Sequence, residues 1–183
     1  TIADSLWNET LVYTENFPDL SNARLAIVAV EETRGAQPSF DADKSTLTIR
    51  KKFYALKKHT VSSGIVDLGT LRNGNKHSDT LIALSGILAE LIRQKIIPVV
   101  IGGSQDLTYA HYLAYKQLEQ VINIASVDSR FDLGNPVEPL ASSSWLGKII
   151  LDQPNYLFNY SHIACQTYFL GNSSVERMKN LYL

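Results

Sequence analysis

The chain has 183 residues, 45% of them hydrophobic and 19% charged, with a formal net charge of −1, an ordinary profile for a soluble globular protein. That length supports one well-buried core, and nothing divides residues 1–183 into two domains. The near-neutral balance leaves no long-range field to select nucleic acid or an anionic membrane, and no apolar run is long enough to span a bilayer.

The lone cysteine, Cys165, cannot form an internal disulfide, which fits a reducing compartment. With no signal-peptide pattern at the start, the cytoplasm is the expected location. The chain opens on Thr1 rather than Met, so its N-terminus is expected to be cut or processed. The glycosylation triplets at Asn8, Asn159 and Asn172 are read as chance without a secretory signal.

Taken in order, residues Thr1 to Ser21 lack clean periodicity and predict an irregular or short helical segment. Arg24 to Glu31 is a continuous apolar run that predicts a strand buried on both faces. A glycine-containing loop follows at Glu31-Glu32-Thr33-Arg34-Gly35-Ala36. Ala42 to Lys58 reads as a helix with Leu47, Phe53, Tyr54 and Leu56 on one face. Its basic residues, Arg50, Lys51, Lys52, Lys57 and Lys58, are expected on a solvated face, since no stacking aromatics interleave them.

Gly64 to Gly69 is a second short strand. Ser78-Asp79 is expected to cap a helix whose stripe of Leu81, Ile82, Leu84, Ile87, Leu88, Leu91 and Ile92 runs through to Lys95. Ile96 to Ile101 and Val121 to Val127 are again short apolar runs. Between them Ser104 to Gln120 reads as a helix, with Ser104 as N-cap and Asp106 in the first turn. Leu133 to Ser144 is a loop rich in Pro, Gly and Ser. Trp145 to Leu151 predicts a short helix, Ser161 to Phe169 a strand holding Cys165 as a buried inert thiol, and Ser173 to Leu183 the start of another helix. With at least five strands alternating with helices, the fold class is α/β, three-layer αβα with a mainly parallel sheet.

Chemistry concentrates where two of these strands end. Gly102-Gly103-Ser104-Gln105-Asp106 closes one and Asp128-Ser129-Arg130-Phe131-Asp132 closes the next. As a βαβ unit they would bring both clusters to the carboxyl edge of the sheet, where open α/β folds place ligands. If the two strands are neighbours, the clusters start roughly 5 Å apart. The spacing by itself allows a second reading, with Asp128 capping a loop and Arg130 an ordinary surface residue.

These two clusters resemble the first two metal motifs of the arginase, agmatinase and formimidoylglutamase family, Gly-Gly-Asp-His-Ser and Asp-Ala-His-x-Asp. The resemblance implies an arginase-like fold, of which this chain would be the N-terminal portion. It is truncated relative to the family, whose third, aspartate-rich motif does not occur. It also implies a binuclear manganese site that hydrolyses linear amidines through a bridging hydroxide. Carried over position by position, the two metal-binding histidines become Gln105 and Arg130, while Asp128 and Asp132 keep their places.

Arg130 has no lone pair for a metal. It is expected instead to replace the lost metal charge by pairing with Asp128, Asp132 or Asp106. The expectation is therefore a non-catalytic binding or scaffold protein, a pseudoenzyme of the family, with no cofactor. Its site, for a small polar ligand or as a closed relic, comprises Ser104, Gln105, Asp106, Asp128, Arg130 and Asp132. The alternative is an active hydrolase of formimidoylglutamase or agmatinase type, using manganese through an altered ligand set that includes Asp128 and Asp132.

The histidines His59, His77, His111 and His162 show no metal-ligand spacing, and His111 is expected to pack on its helix or face solvent. Ser142-Ser143-Ser144 falls where formimidoylglutamase-type relatives place a substrate-facing loop, a flexible surface loop being the equal alternative. Partners beyond a small ligand are not legible, although a symmetric homo-oligomer is compatible with the resemblance.

Overall fold

A computed structural model describes residues 4–36, 45–58, 64–135, 138–172, 175–176 and 179. Among them, strands β1 (Thr10–Val12), β2 (Leu25–Val30), β3 (Ile65–Leu71), β4 (Ile97–Ile101), β5 (Ile122–Val127) and β6 (Leu157–Ile163) alternate with helices. These are α1 (Ser45–Tyr54), α2 (His77–Arg93), α3 (Thr108–Gln117) and α4 (Trp145–Ile150). All strand pairings are parallel. Four strands make one sheet in the order β1-β3-β2-β4, and β5 pairs with β6 in a second.

Strand β2 is the centre of the first sheet, and its sequence explains why. Its side chains alternate between two apolar layers. Ala26, Val28 and Val30 face Leu81, Leu84 and Leu88 of α2 and Ala110 and Ala114 of α3. Ile27 and Ala29 face the other way, into a cluster with Leu6, Ile65, Ile101 and Phe53 of α1. Helices thus cover both faces, the three-layer arrangement expected from the sequence. Leu84 and Leu88 are fully buried, and each contributes roughly 1.5–3 kcal/mol by leaving water. The second sheet packs one face on a separate cluster built from Tyr112, Leu133, Trp145, Leu146, Ile149 and Tyr160.

Several elements depart from the expectation. Thr10–Val12 is an added edge strand on β3, preceded by a 3₁₀ turn at Leu6–Glu9. Three alternating residues are too few to read as a strand from sequence. Helix α2 starts one residue before Ser78, with Lys76 as N-cap and the Asp79 carboxylate accepting the Lys76 backbone N–H at 2.9 Å. Strand β6 runs from Leu157 and stops at Ile163, because Ala164 takes a left-handed φ of 67°. Cys165 therefore lies past the strand end and half-buried rather than inside a strand.

Arg50 leaves the solvated basic face expected for it. Its guanidinium turns inward to Asp67 of β3, donating to both carboxylate oxygens at 2.7 and 2.8 Å. Most of the helix expected from Ser173 lies outside the described residues, as do residues 42–44 at the start of the helix expected from Ala42.

The largest departure concerns β4 and β5. They are joined by α3 but belong to different sheets and share no ladder among the described residues. Helix α3 packs on α2 and on α4, so it bridges the two sheets on their helical side. The expected close spacing of adjacent strands is replaced by two loops that reach toward each other.

Candidate functional site

The loop after β4 turns on two glycines. Gly102 and Gly103 have φ of 90° and 70°, a conformation that favours glycine. Space makes the same demand, since a Cβ on Gly103 would sit 2.8 Å from the Glu32 carbonyl oxygen. This tight turn brings Ser104 against the end of β2. Its N–H and hydroxyl both donate to the Glu32 carbonyl, at 2.9 and 3.2 Å. The Ser104 hydroxyl is therefore not the helix cap expected of it. A 3₁₀ turn, Gln105–Leu107, intervenes before α3.

Asp106 is wholly buried. His77, the first residue of α2, meets one of its carboxylate oxygens through Nε2 at 2.6 Å, and the Ser142 hydroxyl donates to the other at 3.0 Å. Gly35 closes this arrangement, because a Cβ there would overlap the Asp106 carboxylate. The Ser142 N–H in turn donates to the Gly35 carbonyl at 2.8 Å. Burial works to raise the Asp106 pKa, but hydrogen bonds from His77, Ser104 and Ser142 outweigh it and leave the group below its ordinary value. The same contact holds His77 above its usual value.

Beside them the carboxylate of Glu32, also wholly buried, takes the Arg34 guanidinium and, at 2.8 Å, the Thr80 hydroxyl. Burial opposes its charge, yet these donors together with the Arg34 backbone N–H bring its pKa down to about 2. The result is a closed polar clasp. It ties the ends of β2 and β4, the start of α2 and the serine loop together.

Gln105 and Asp128 span the space between the two sheets. The Gln105 amide donates to one Asp128 oxygen, and the other accepts the Arg130 backbone N–H at 3.2 Å. Burial works to raise the Asp128 pKa, and these donors with those of Ser129 keep it below its usual value. His162 fixes the Asp128 backbone from behind. Its Nε2 donates to the Asp128 carbonyl at 3.0 Å, and its Nδ1 lies 2.9 and 2.7 Å from the Ser126 and Tyr160 hydroxyls.

Asp132 turns away into the second core. It is 7% exposed and accepts the Trp145 indole N–H at 2.8 Å. Burial raises its pKa to about 6 despite that bond, with Asp128 adding to the rise and Arg130 opposing it.

Arg130 does not bridge the carboxylates as expected. Among the described residues no ion pair joins it to Asp106, Asp128 or Asp132. Its guanidinium lies over the Phe169 ring, 4.5 Å from the centroid, a cation–π contact that keeps the charge near water.

The six residues singled out from the sequence therefore divide into three settings. Ser104 and Asp106 belong to the buried clasp, Gln105 and Asp128 to the contact between sheets, and Asp132 and Arg130 to opposite sides of it. Sequence reasoning missed His77, Glu32, Gly35, Trp145 and His162. Of these only Gly35 carried a signal, as the glycine of the loop after β2. The polar cluster is also separate from an apolar cavity of about 590 Å³ lined in part by Phe17, Leu20, Leu68, Leu71 and Ile87.

A manganese pair does not fit this donor set. Arg130 cannot ligate, Gln105 presents its amide nitrogen to Asp128, and Asp132 is committed to Trp145. Among the described residues no three His, Cys, Asp or Glu side chains gather where an ion could be held.

Comparison with known proteins bears on this geometry. No family model matches the chain. It is 33% identical over 126 residues to a formimidoylglutamase of Geobacillus sp. (strain WCH70), a match covering 65% of this chain and 36% of the relative. To a formimidoylglutamase of Staphylococcus haemolyticus it is 26% identical over 145 residues, 77% of this chain and 46% of that one. Trypanosoma cruzi formiminoglutamase, in a structure with manganese, superposes on 97% of this chain with a TM-score of 0.80 at 16% identity. Over the part compared, the chain is similar to formimidoylglutamases in sequence and to arginase-superfamily structures in fold.

The chain spans less than half of the two curated relatives and 63% of the solved trypanosomal chain. Its fold is the arginase fold over the part compared. No helix among its described residues is long and apolar enough to cross a membrane.

Proposed function

We propose that this chain is a non-catalytic member of the arginase/formimidoylglutamase family that binds a small polar ligand or acts as a scaffold through the strand-end cluster. One observation carries this reading: the two carboxylates at the family's metal positions are engaged by an amide and an indole of the protein itself. Such donors neither generate a hydroxide nucleophile nor polarise an amidine as a metal pair does. A ligand would meet the exposed Gln105 amide, the outer side of Asp128 and the Arg130 guanidinium. Together these suit a molecule bearing both donors and an anionic group.

A second reading is supported by the formimidoylglutamase kinship and by the retention of Asp128 and Asp132. It makes the protein a metal-dependent hydrolase of linear amidines with an altered ligand set. Incubation with formimidoylglutamate and manganese separates the two. The first reading predicts no turnover above a protein-free control. Manganese-dependent turnover that disappears in Asp128→Ala establishes the second.

A further inference from the structure

We propose that the apolar cavity between α2 and the segment joining β1 to β2 binds a small apolar carboxylate, with its hydrocarbon body inside and its carboxylate on Arg72. The cavity volume of about 590 Å³ falls within the range of sites that hold small molecules. Three stretches of chain enclose it: Val28 and Leu68 of the sheet, Ile87 and Leu91 of α2, and Phe17 and Leu20 of the connecting segment. Val28 and Leu91 are buried, so the cavity floor is continuous with the first core. Phe17 stands exposed at the rim and is placed by its ring contact with Tyr13, 5.9 Å between centroids. Among the described residues none of β4, β5 or β6 contributes to the lining. The space between the two sheets therefore does not create this cavity.

Gly86 gives the cavity room. It lies in the middle of α2, where glycine weakens a helix relative to alanine. A Cβ there would meet no protein atom within 4 Å, so packing inside the protein does not require the glycine. Its bare backbone keeps open the part of the cavity that it lines.

Charge selects the occupant. Arg72, directly after β3, also lines the cavity and is exposed. Among the described residues no hydrogen bond or ion pair takes its guanidinium. The other charge on the rim, Glu90, is already engaged by Arg93 and by the Gln94 amide at 2.8 Å. The unbalanced charge is thus one cation, whose planar fork of donors matches a carboxylate. A phosphate monoester would bring excess negative charge beside Glu90. The leucines and Ile87 in turn favour a body that leaves water for apolar surroundings.

Calorimetric titration of the chain with decanoate, kept below its micellar concentration, tests the site. Saturable binding of one decanoate per chain is expected, and decanol should bind about threefold to fivefold more weakly. Methyl resonances of Leu68, Leu71 and Ile87 should shift during the titration, while those of Ile149 in the second core stay still. Gly86→Leu fills the cavity and should weaken decanoate binding about tenfold. Its urea midpoint should not fall, because leucine is a good helix former. Arg72→Met should weaken decanoate to the level of decanol and leave decanol unchanged, a readout independent of the helix. Absence of saturable decanoate binding, the result expected if another polypeptide segment fills the cavity, overturns the proposal. So does decanoate binding that Gly86→Leu leaves unchanged, or decanol binding as tightly as decanoate.

Discussion

Asp106→Ala is expected to lower stability by roughly 3–5 kcal/mol, the usual cost of removing one partner from a buried charged network. For a chain of this size that is on the order of 10 °C in melting temperature. The loss has three parts: His77 forfeits its anion, Ser142 its acceptor, and the serine loop its anchor to β4. Asp106→Asn keeps an acceptor for Ser142 without the charge and should lose about half as much.

The effect should vary with pH in a defined way. The folded pKa of His77 is raised, so its contribution is complete below its unfolded value of 6.5 and is lost as pH rises through the folded value. That of Asp106 is lowered, so its contribution is complete above 3.8 and is lost as pH falls through the folded value. The difference between the native chain and Asp106→Ala is therefore widest between pH 3.8 and 6.5 and narrows on both sides. Urea denaturation at pH 5 and at pH 9 measures it. Equal differences at the two pH values would show that the His77 contact contributes nothing through charge.

Asp132→Asn should act in the opposite sense. A carboxyl whose folded pKa is raised to about 6 binds a proton more readily in the folded than in the unfolded chain. Stability therefore falls as pH rises from about 4 through 6, as the group is forced to ionise beside Trp145. Taking the ordinary value as 3.8, the cost above pH 6 is roughly 3 kcal/mol as an upper figure. Asparagine can still accept the indole N–H, and its amide nitrogen would face the side from which Asp128 repels a charge. Asp132→Asn should therefore gain roughly 1–3 kcal/mol at pH 8 and almost nothing at pH 4. A variant less stable than the native chain at pH 8 would mean that the Asp132 charge has a favourable partner in the fold.

Much of this architecture was legible in the residues. The runs around Ala26, Val99 and Ile124 read as strands because they are continuous and aliphatic. The burial on both faces expected of them holds only for β2; β4 is mostly half-buried and β5 alternates half-buried with exposed residues. Leu81 to Ile92 read as a helix because its stripe repeats at helical spacing. The strand-end clusters were located for the same reason, since polar residues at the close of buried strands have nowhere else to go.

What escaped depends on contacts distant in sequence. His77 lies 29 residues from Asp106 and has no motif to mark it. Arg50 sits in a basic run, yet it turns inward because Asp67, buried in β3, needs a cation. Arg130 was expected to seek the nearest carboxylates. Their oxygens are already occupied by Gln105, backbone N–H groups and Trp145, and the open face of Phe169 takes the guanidinium instead. The division into two sheets was hidden too, because a strand-helix-strand pattern does not state whether its strands are neighbours.

The account depends on Gln105 and Arg130 having displaced metal chemistry from a preserved frame. Elemental analysis of the protein purified and dialysed in the presence of excess manganese tests this most directly. The account predicts far less than one manganese ion per chain, with Gln105→His combined with Arg130→His raising the content. Close to two tightly held ions per unmodified chain would contradict it.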